Sequence, residues 1–356
     1  MRLPLPAALR RTFAAGLLAL AWPALVPAQV ASPSPSPSSS LAERPAATAT
    51  AQAPAPRSAD CPPLPRPLDP HTVPQALRRA HDRGLLWRVE QGGHTSWLYG
   101  TVHAARRDWM LPGPTVLAAV KASDRVALEL DLMDPAVMQA LQAAMRNPAD
   151  APPLPPELAR RLAAQREAAC ADPSMAQLRP EVQVSSLLAL SARREGFDPA
   201  YGIDLVLDGL AHGLRKPVLS LESPEQQMRL LASDDPQETA ADVAAGLAQL
   251  ESHAAGDALA TLATAWSDGR AALLETYPDW CGCMKTPAER KAFDQVVAGR
   301  NPAMARAIEA QHRAGHSVFA AVGALHLVGP QGLPALLAAQ GFKVERVPFP
   351  SATPAD

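Results

Sequence analysis

The sequence predicts an α/β fold in which a mixed central sheet is formed by N- and C-terminal segments and a large helical region lies between them. Short apolar runs, which predict strands, lie near both ends of the chain, at residues 85–102 and 317–347. Most of the residues between them carry apolar side chains at three- and four-residue spacing, which is typical of helices. With 356 residues, 47% of them apolar, the chain can bury a large core.

The first half of the sheet is predicted from the order of elements near the N-terminus. Apolar runs at residues 85–90 and 95–102 are separated by Gly92 and Gly93, a pattern typical of a β-hairpin. A short helix over residues 74–83 precedes the hairpin, and a second helix, flanked by prolines, ends near residue 122. The continuous apolar run at residues 125–131 then predicts a strand that is covered on both faces.

The helical middle and the second half of the sheet follow from periodicity and turn signals. Helices are predicted over residues 135–146, 156–171, 182–195 and 203–214, then over 224–275 with turns at 234–236 and 267–269, and over 287–314 with a break at 299–302. Further strands are predicted at residues 217–221, 317–325 and 342–347, with a helix at 332–340 between the last two.

Both ends of the chain are predicted to lie outside this domain, which spans residues 71–350. Residues 1–28 resemble an export signal, with three arginines before an apolar run and a small-residue cleavage site at residues 26–28. Residues 29–70 are dominated by proline, serine and alanine and predict a disordered linker. A disordered tail is predicted at residues 351–356.

The composition indicates where the mature chain works and which partners it lacks. Five of its 33 basic residues are lysine and alanine is abundant, which fits a GC-rich bacterial genome, so the export signal implies the periplasm of a Gram-negative bacterium. The apolar run is too short to span a bilayer, so no stable membrane insertion is expected after cleavage. Removing the signal leaves a formal charge of about −5, which excludes a nucleic-acid surface.

Four cysteines in an exported chain predict disulfide bonds. They are Cys61, Cys170, Cys281 and Cys283. A bond between Cys281 and Cys283 would close a very tight ring, so we expect at least one of this pair to bond elsewhere, to Cys61 or Cys170. Zinc binding is the weaker interpretation, because no paired Cys-x-x-Cys spacing occurs.

Two Gly-x-x-His motifs carry the strongest chemical signal. Each follows an apolar strand, the first from Gly100 to His103 and the second from Gly323 to His326. Ligands usually bind at strand ends of open α/β sheets, and an imidazole there can ligate a metal or transfer a proton. The alternative is that both histidines are ordinary strand-end residues bonded to neighbouring backbone.

Two acidic residues are candidates for the same site. Glu129 lies inside an apolar strand, where a carboxylate is costly unless it is paired or binds a metal, and its alternative partner is an arginine. Glu222 closes the strand before a helix that begins with proline, where it could instead interact with the helix dipole. Gln226, four residues later, could point in the same direction.

Three polar residues could support the site. Asp204 lies at a helix start, where it is either a cap or a partner that orients a histidine. Arg300 could hold an anionic group, and Asn301, before a proline, is predicted to cap a helix. The remaining candidate metal ligands are interpreted as surface histidines, namely His212, His253, His312 and His316.

The order of these motifs resembles the TraB/GumN family, and the likeness covers about residues 85–347. The matching segments are residues 86–89, 98–103, 111–112, 128–131, 201–204, 221–226, 300–304 and 322–333. The family usually has threonine at the position of Ser223, and the long proline- and serine-rich leader is not part of its core.

The resemblance implies a fold similar to erythromycin esterase and the haem-binding ChaN proteins, an EreA/ChaN-like architecture. It also implies a relation to the Tiki proteins, which are metal-dependent proteases. On that basis His103, His326 and Glu129 would hold a divalent metal ion such as Mn²⁺, Co²⁺ or Zn²⁺, with Glu129 and Glu222 as the catalytic acids. Gly100, Gly323, Asp204, Gln226, Arg300 and Asn301 would support the site.

The sequence therefore predicts a periplasmic metal-dependent hydrolase that acts on a peptide, an ester or another small substrate. The first alternative is a module that binds haem, a peptide signal or a saccharide without turnover. The second is an accessory factor in polysaccharide export, which only the family name suggests.

Overall fold

A computed structural model of the chain describes residues 60–69 and 71–349. The predicted export signal, the predicted linker as far as residue 59 and the predicted tail lie outside the described residues. Within them the chain forms a mixed α/β fold with one six-stranded sheet and many helices. The predicted fold class is therefore confirmed at this level.

The strands are β1 Leu86–Gln91, β2 His94–Thr101, β3 Arg125–Leu128, β4 Val218–Ser220, β5 Val318–Gly323 and β6 Lys343–Arg346. The helices are α1 Val73–Arg79, α2 Pro114–Ala122, α3 Pro135–Met145, α4 Pro156–Ala168, α5 Pro180–Leu190, α6 Ile203–Gly213, α7 Pro224–Leu231, α8 Pro236–Glu251, α9 Ala254–Ser267, α10 Ala271–Glu275, α11 Tyr277–Trp280, α12 Pro287–Val296, α13 Asn301–Arg313 and α14 Leu333–Ala339. Most predicted elements agree with these to within about five residues. The predicted helical stretch at 224–275, however, has an additional break between α8 and α9, and α11 was not predicted.

Sheet order brings distant parts of the chain together. The strands lie in the order β4-β3-β5-β2-β1-β6, so a strand from the C-terminal part lies between two from the N-terminal part. β5 is parallel to both β2 and β3, whereas β1 is antiparallel to β2 and β6. The carboxyl ends of β2, β3 and β5 therefore meet at one edge of the sheet.

Helices cover both faces of the sheet. Met304 and Ile308 of α13 and Leu333 and Leu337 of α14 pack on one face with Ala320 of β5. The other face is covered mainly by side chains of α2, α6 and α9. The helices of the middle region form a further core of their own, in which α5 contacts α8. This burial on both faces explains why β3 and β5 are continuous apolar runs.

The helix starts follow from local chemistry. Several helices begin with proline at the first position, where its missing N–H leaves no donor unpaired. The carboxylate of Asp134 caps α3 by accepting two backbone N–H groups, and that of Asp235 caps α8 by accepting the N–H of Gln237. Thr286 and Glu289 form a reciprocal capping box at α12.

The disulfide pairing differs from the expected one. Cys61 is bonded to Cys170, and Cys281 is bonded to Cys283. The expectation that Cys281 or Cys283 would bond elsewhere is therefore wrong. Gly282, with φ of +67°, turns the backbone between them and leaves their Cα atoms 5.1 Å apart, within the usual range for a disulfide.

Residues 60–69 contact the domain although they belong to the predicted linker. Besides the disulfide at Cys61, the backbone N–H of Arg66 donates to the Tyr201 hydroxyl at 2.8 Å. The side chain of Arg107 donates to the carbonyl oxygens of Arg66 and Pro67. In the part of the chain that the structure describes, no helix is long and apolar enough to cross a membrane.

Candidate functional site

The two Gly-x-x-His motifs lie side by side at the carboxyl ends of β2 and β5. The strands are paired in register, with Gly100 opposite Val322 and Thr101 opposite Gly323. A Cβ atom on Gly100 would lie 3.1 Å from Cα of Ala324, so the glycine allows the turn after β5 to approach β2 closely. The Gly100 carbonyl accepts a hydrogen bond from Nε1 of buried Trp266 at 2.6 Å.

His103 follows β2 and is held by a carboxylate from α6. Its Nδ1 lies 3.0 Å from Oδ2 of Asp204, which leaves Nε2 for a ligand. The N–H of Ile203 donates to the carbonyl of Val102, which fixes the start of α6 beside the histidine. Burial disfavours the charged ring, but Asp204 outweighs it and raises the pKa of His103 to about 9. Asp204 therefore positions His103 and does not cap α6.

Glu129 comes directly after β3, which ends at Leu128, three residues earlier than predicted. Its Oε1 accepts from the N–H of Gly323 at 2.8 Å, and its Oε2 accepts from Nη2 of Arg300 at 2.6 Å. Burial would raise the pKa of this carboxyl group, but Arg300 and the neighbouring histidines hold it well below its usual range. Glu129 is thus paired with an arginine, Arg300, which was the alternative to binding a metal ion.

Arg300 joins Glu129 to Glu222. Its Nε donates to Oε1 of Glu222 at 2.7 Å, and Nη2 also contacts the other oxygen of that carboxylate. Nη1 lies 3.2 Å from Nε2 of His326. Burial opposes the positive charge, yet Glu129 and Glu222 together raise the pKa of Arg300 further. One guanidinium therefore pairs with two carboxylates.

His326 lies in the 3₁₀ turn Ala324–Leu327 after β5 and is buried. Its Nδ1 lies 2.7 Å from Oδ1 of Asn301, so Nδ1 carries the proton and Nε2 accepts from Arg300. Burial and the charge of Arg300 lower the pKa of His326 to about 3, which keeps the ring neutral. Asn301 is not a helix cap as predicted, because its amide is committed to His326 and to the Gln331 carbonyl.

Gln226 does not join this group. It forms a capping box with Ser223 at the start of α7 and is exposed there. The neighbouring residue Gln227 is buried and donates to Oε2 of Glu222 at 3.2 Å. Glu222 itself contacts Arg300 but is not among the residues that line the cleft described next. The spacing of four residues from Glu222 therefore indicated the wrong glutamine. The side chain of a capping-box residue such as Gln226 turns back to the N-terminus of its own helix and cannot reach the site.

A cleft of about 970 Å³, measured out to its open mouth, lies above these residues. Its polar lining is Thr101, His103, Glu129, Gln249 and His326. Its apolar wall includes Leu188, Ala255, Ala258, Leu259, Leu262, Tyr277, Val297 and Leu325, with the disulfide of Cys281 and Cys283 beside them. Glu129 is the one carboxylate that lines the described cleft. The arrangement can therefore place an apolar group beside two imidazoles and one acid.

The predicted metal ligands do not fit a metal ion in the arrangement described. Both oxygens of Glu129 accept hydrogen bonds, and the free nitrogen of His326 faces Arg300. Each imidazole does have its Nδ1 held by an oxygen acceptor, as metal-binding histidines usually do. The guanidinium of Arg300, however, takes the place of a cation between Glu129 and His326. The metal role of these residues stays a prediction.

A different group of side chains could hold a metal ion. In residues 60–69 and 71–349, the group of three His, Cys, Asp or Glu residues whose ligand atoms all lie within 4.8 Å is Asp131, Asp208 and His212. This group is not evident from the sequence, which predicts His212 only as a surface residue. The four-residue spacing of Asp208 and His212 on α6 was the available signal, and only the fold could bring Asp131 beside them.

His212 is exposed as predicted, whereas the surface interpretation of His312 is wrong. This residue is buried on the inner face of α13, with Nδ1 2.8 Å from the Ser96 hydroxyl and Nε2 2.9 Å from the Gln91 carbonyl. Both ring nitrogens are used to hold α13 against β1 and β2. His312 is therefore a structural residue.

One of the three comparisons with known proteins, that with protein families, gives a match. No curated protein and no solved structure matches the chain significantly. The family model that matches is the TraB/PrgY/gumN family, over residues 85–346. This span begins beside β1, ends at the last residue of β6 and contains both Gly-x-x-His motifs, Glu129 and Arg300. The chain therefore belongs to the TraB/PrgY/gumN family.

Proposed function

We propose that the chain is a hydrolase that cleaves an amide or ester bond next to an apolar group of its substrate. The observation that carries the proposal is the convergence of His103, His326 and Glu129 on one apolar cleft at the carboxyl edge of the sheet. A positioned imidazole, a carboxylate and a water-poor wall are the usual parts of an acid–base site.

The wall of the cleft supports a substrate with an apolar part. Leu259 and Leu262 of α9, Leu188 of α5 and Tyr277 of α11 all line it, whereas the charged groups lie at the sheet edge. Burial of an apolar acyl chain or side chain is worth roughly 25 cal/mol per Å² of area removed from water. The cleft should therefore favour longer acyl groups or peptides with large apolar side chains.

The polar residues have separable proposed roles. His103, protonated and held by Asp204, would donate a proton to the leaving group. Glu129, the carboxylate that lines the cleft, would accept a hydrogen bond from the attacking water and orient it, and the proton of that water would pass to solvent. Arg300 and Gly323 fix the orientation of that carboxylate through one hydrogen bond each. Asn301 does the same for His326.

Metal dependence is the finer part of the prediction, and it requires Arg300 to leave Glu129 and His326. Two imidazoles and a carboxylate form a donor set that suits Mn²⁺, Co²⁺ or Zn²⁺, whose role would be to lower the pKa of a bound water. The contacts of Arg300 oppose this, so no step is assigned to a metal here. Metal content of tag-free protein, compared with His103→Ala and His326→Ala, tests that part separately.

The compartment and the wider fold likeness belong to the proposal as well. We place the mature chain in the periplasm of a Gram-negative bacterium, and its two disulfides are compatible with an oxidising compartment. Release of the chain by osmotic shock of intact cells tests this placement. A likeness to erythromycin esterase and the ChaN proteins stays a prediction.

The hydrolase proposal is tested with a series of p-nitrophenyl esters of increasing acyl length and with apolar dipeptide amides. We expect turnover that rises with acyl length and falls at least a hundredfold in His103→Gln and Glu129→Gln. The matched control is His253→Asn, which changes an exposed histidine outside the cleft at a backbone position that asparagine tolerates. Saturable binding of the same compounds without turnover would instead support the ligand-binding module.

A further inference from the structure

We infer that Asp131, Asp208 and His212 form a second, independent site for a divalent metal ion. Their ligand atoms all lie within 4.8 Å of one another. Nε2 of His212 lies 2.9 Å from Oδ1 of Asp131 and 3.4 Å from Oδ1 of Asp208. None of the three lines the apolar cleft, so the inference does not depend on the proposed hydrolase.

A buried oxygen of Asp208 points to a ligand. The Asp208 side chain is 2% exposed, and its Oδ2 accepts backbone N–H groups from Leu132 at 2.8 Å and Met133 at 3.2 Å. Its Oδ1 is buried without a hydrogen bond and faces His212. The His212 imidazole lies 3.4 Å from this oxygen, so the buried Oδ1 has an ion-pair contact but no hydrogen bond. A metal cation would contact it directly and lower the cost of burying it.

The fold builds the site from two rigid parts. Asp208 and His212 lie four residues apart on α6 and so share one face of that helix. Asp131 follows β3, and its carboxylate accepts the N–H groups of Met133 and Asp134 at 3.1 and 3.0 Å. Backbone donors of this kind hold metal-binding carboxylates in a fixed orientation.

The donor set indicates the class of metal. Two carboxylates with one imidazole suit Mn²⁺, Co²⁺ or Zn²⁺ better than Ca²⁺ or Mg²⁺, which prefer oxygen ligands alone. The His212 side chain is 37% exposed, so the ion has access from solvent and water can complete its coordination.

A metal ion here would fasten the end of α6 to the segment after β3. The same helix carries Asp204, which holds His103, at its other end. Asp204, Asp208 and His212 follow one another at four-residue intervals along one helix face. The ion would thus stabilise the helix that positions the cleft histidine, without touching the cleft.

Metal binding is measured by calorimetric titration of the tag-free, chelator-dialysed full chain with Zn²⁺, and by electron paramagnetic resonance with Mn²⁺. We expect a Kd at least tenfold weaker in His212→Gln and in Asp208→Asn. His253→Asn should bind as the wild type does, and His103→Gln is titrated beside it to detect an ion in the cleft. His212 is exposed, so its variant should fold, and far-UV circular dichroism checks both variants.

Three results would overturn the inference. The first is a folded wild type that binds no stoichiometric metal. The cluster would then be an ion pair between protonated His212 and the carboxylates of Asp131 and Asp208. Binding could be unchanged in a folded His212→Gln variant. It could also disappear in His103→Gln while persisting in His212→Gln, which would place the ion in the cleft and separate the two proposals.

Discussion

The guanidinium of Arg300 lies against the carboxylate of Glu129, with Nη2 2.6 Å from Oε2, and the two side chains are 8% and 10% exposed. The same guanidinium holds Glu222, which is 8% exposed. A single positive charge is thus shared by two acids at the carboxyl edge of the sheet. The proposed roles of Glu129 and His326 in the cleft depend on these contacts with Arg300.

Removing the arginine should destabilise the fold strongly. In Arg300→Gln, the carboxylates of Glu129 and Glu222 lose their shared counter-charge, and leaving a buried charge uncompensated costs about 3–5 kcal/mol. Urea unfolding measures the loss. The control is Arg313→Gln at the end of α13, the helix that Arg300 precedes. The Arg313 side chain is 62% exposed and pairs with Glu309, so this change should cost less than about 1 kcal/mol. Equal losses in the two variants would contradict the account.

His103 should make stability depend on alkaline pH. Its folded pKa, raised to about 9 by Asp204 against the effect of burial, exceeds the unfolded value of about 6.5. This contribution is fully present below pH 6.5 and is lost as the pH rises through 9. The wild type should lose about 3 kcal/mol more than His103→Asn between pH 6.5 and 9.5 in urea titrations. Parallel curves for the two proteins would show that the ring is not held as a cation.

Gly100 should resist enlargement because the turn carrying His326 lies against it. A Cβ atom there would meet Cα and Cβ of Ala324 at 3.1 Å, so Gly100→Ala should cost about 1–3 kcal/mol. Gly209 of α6 is the matched control. It has open space around it, and Gly209→Ala should stabilise the helix by about 0.5–1 kcal/mol. Thermal unfolding of both variants measures the two changes in stability. A Gly100→Ala variant as stable as the wild type would contradict the prediction.

The two disulfides should differ in their effect on stability. Cys61 and Cys170 are 109 residues apart, so their bond restricts the unfolded chain far more than the ring between Cys281 and Cys283 does. Replacing the first pair with serine should cost about 2–4 kcal/mol, and replacing the second should cost less. Mass spectrometry of unreduced digests should find these two linkages. A peptide that joins Cys281 to Cys61 or Cys170 would contradict the structure.

The spacing of apolar residues predicted most of the helices and strands, because each kind of element has its own period in the sequence. The hairpin at Gly92 and Gly93 and the strand that leads to His326 were both identifiable this way. The sheet order was not, since the insertion of β5 between β2 and β3 depends on packing of segments about 200 residues apart. The sequence therefore indicated the two Gly-x-x-His motifs, but not that β2 and β5 pair and bring them together.

The partners within the site were harder to predict than its members. Arg300 and Asn301 were candidates, but sequence assigned Asn301 to a helix end, whereas the fold directs it to His326. Asp131 lies beside His212 only because α6 packs along β3. Capping and surface roles are common for such residues, and only tertiary contacts distinguish them from site residues.

The central claim is that the two Gly-x-x-His histidines act in one cleft. A double-mutant cycle in kcat/KM with His103→Gln, His326→Gln and the double variant tests it most directly, because residues that act as a unit have non-additive effects. We expect the double variant to be no more than about threefold slower than the slower single variant. Losses that multiply fully, or activity that survives both changes, would contradict a shared site.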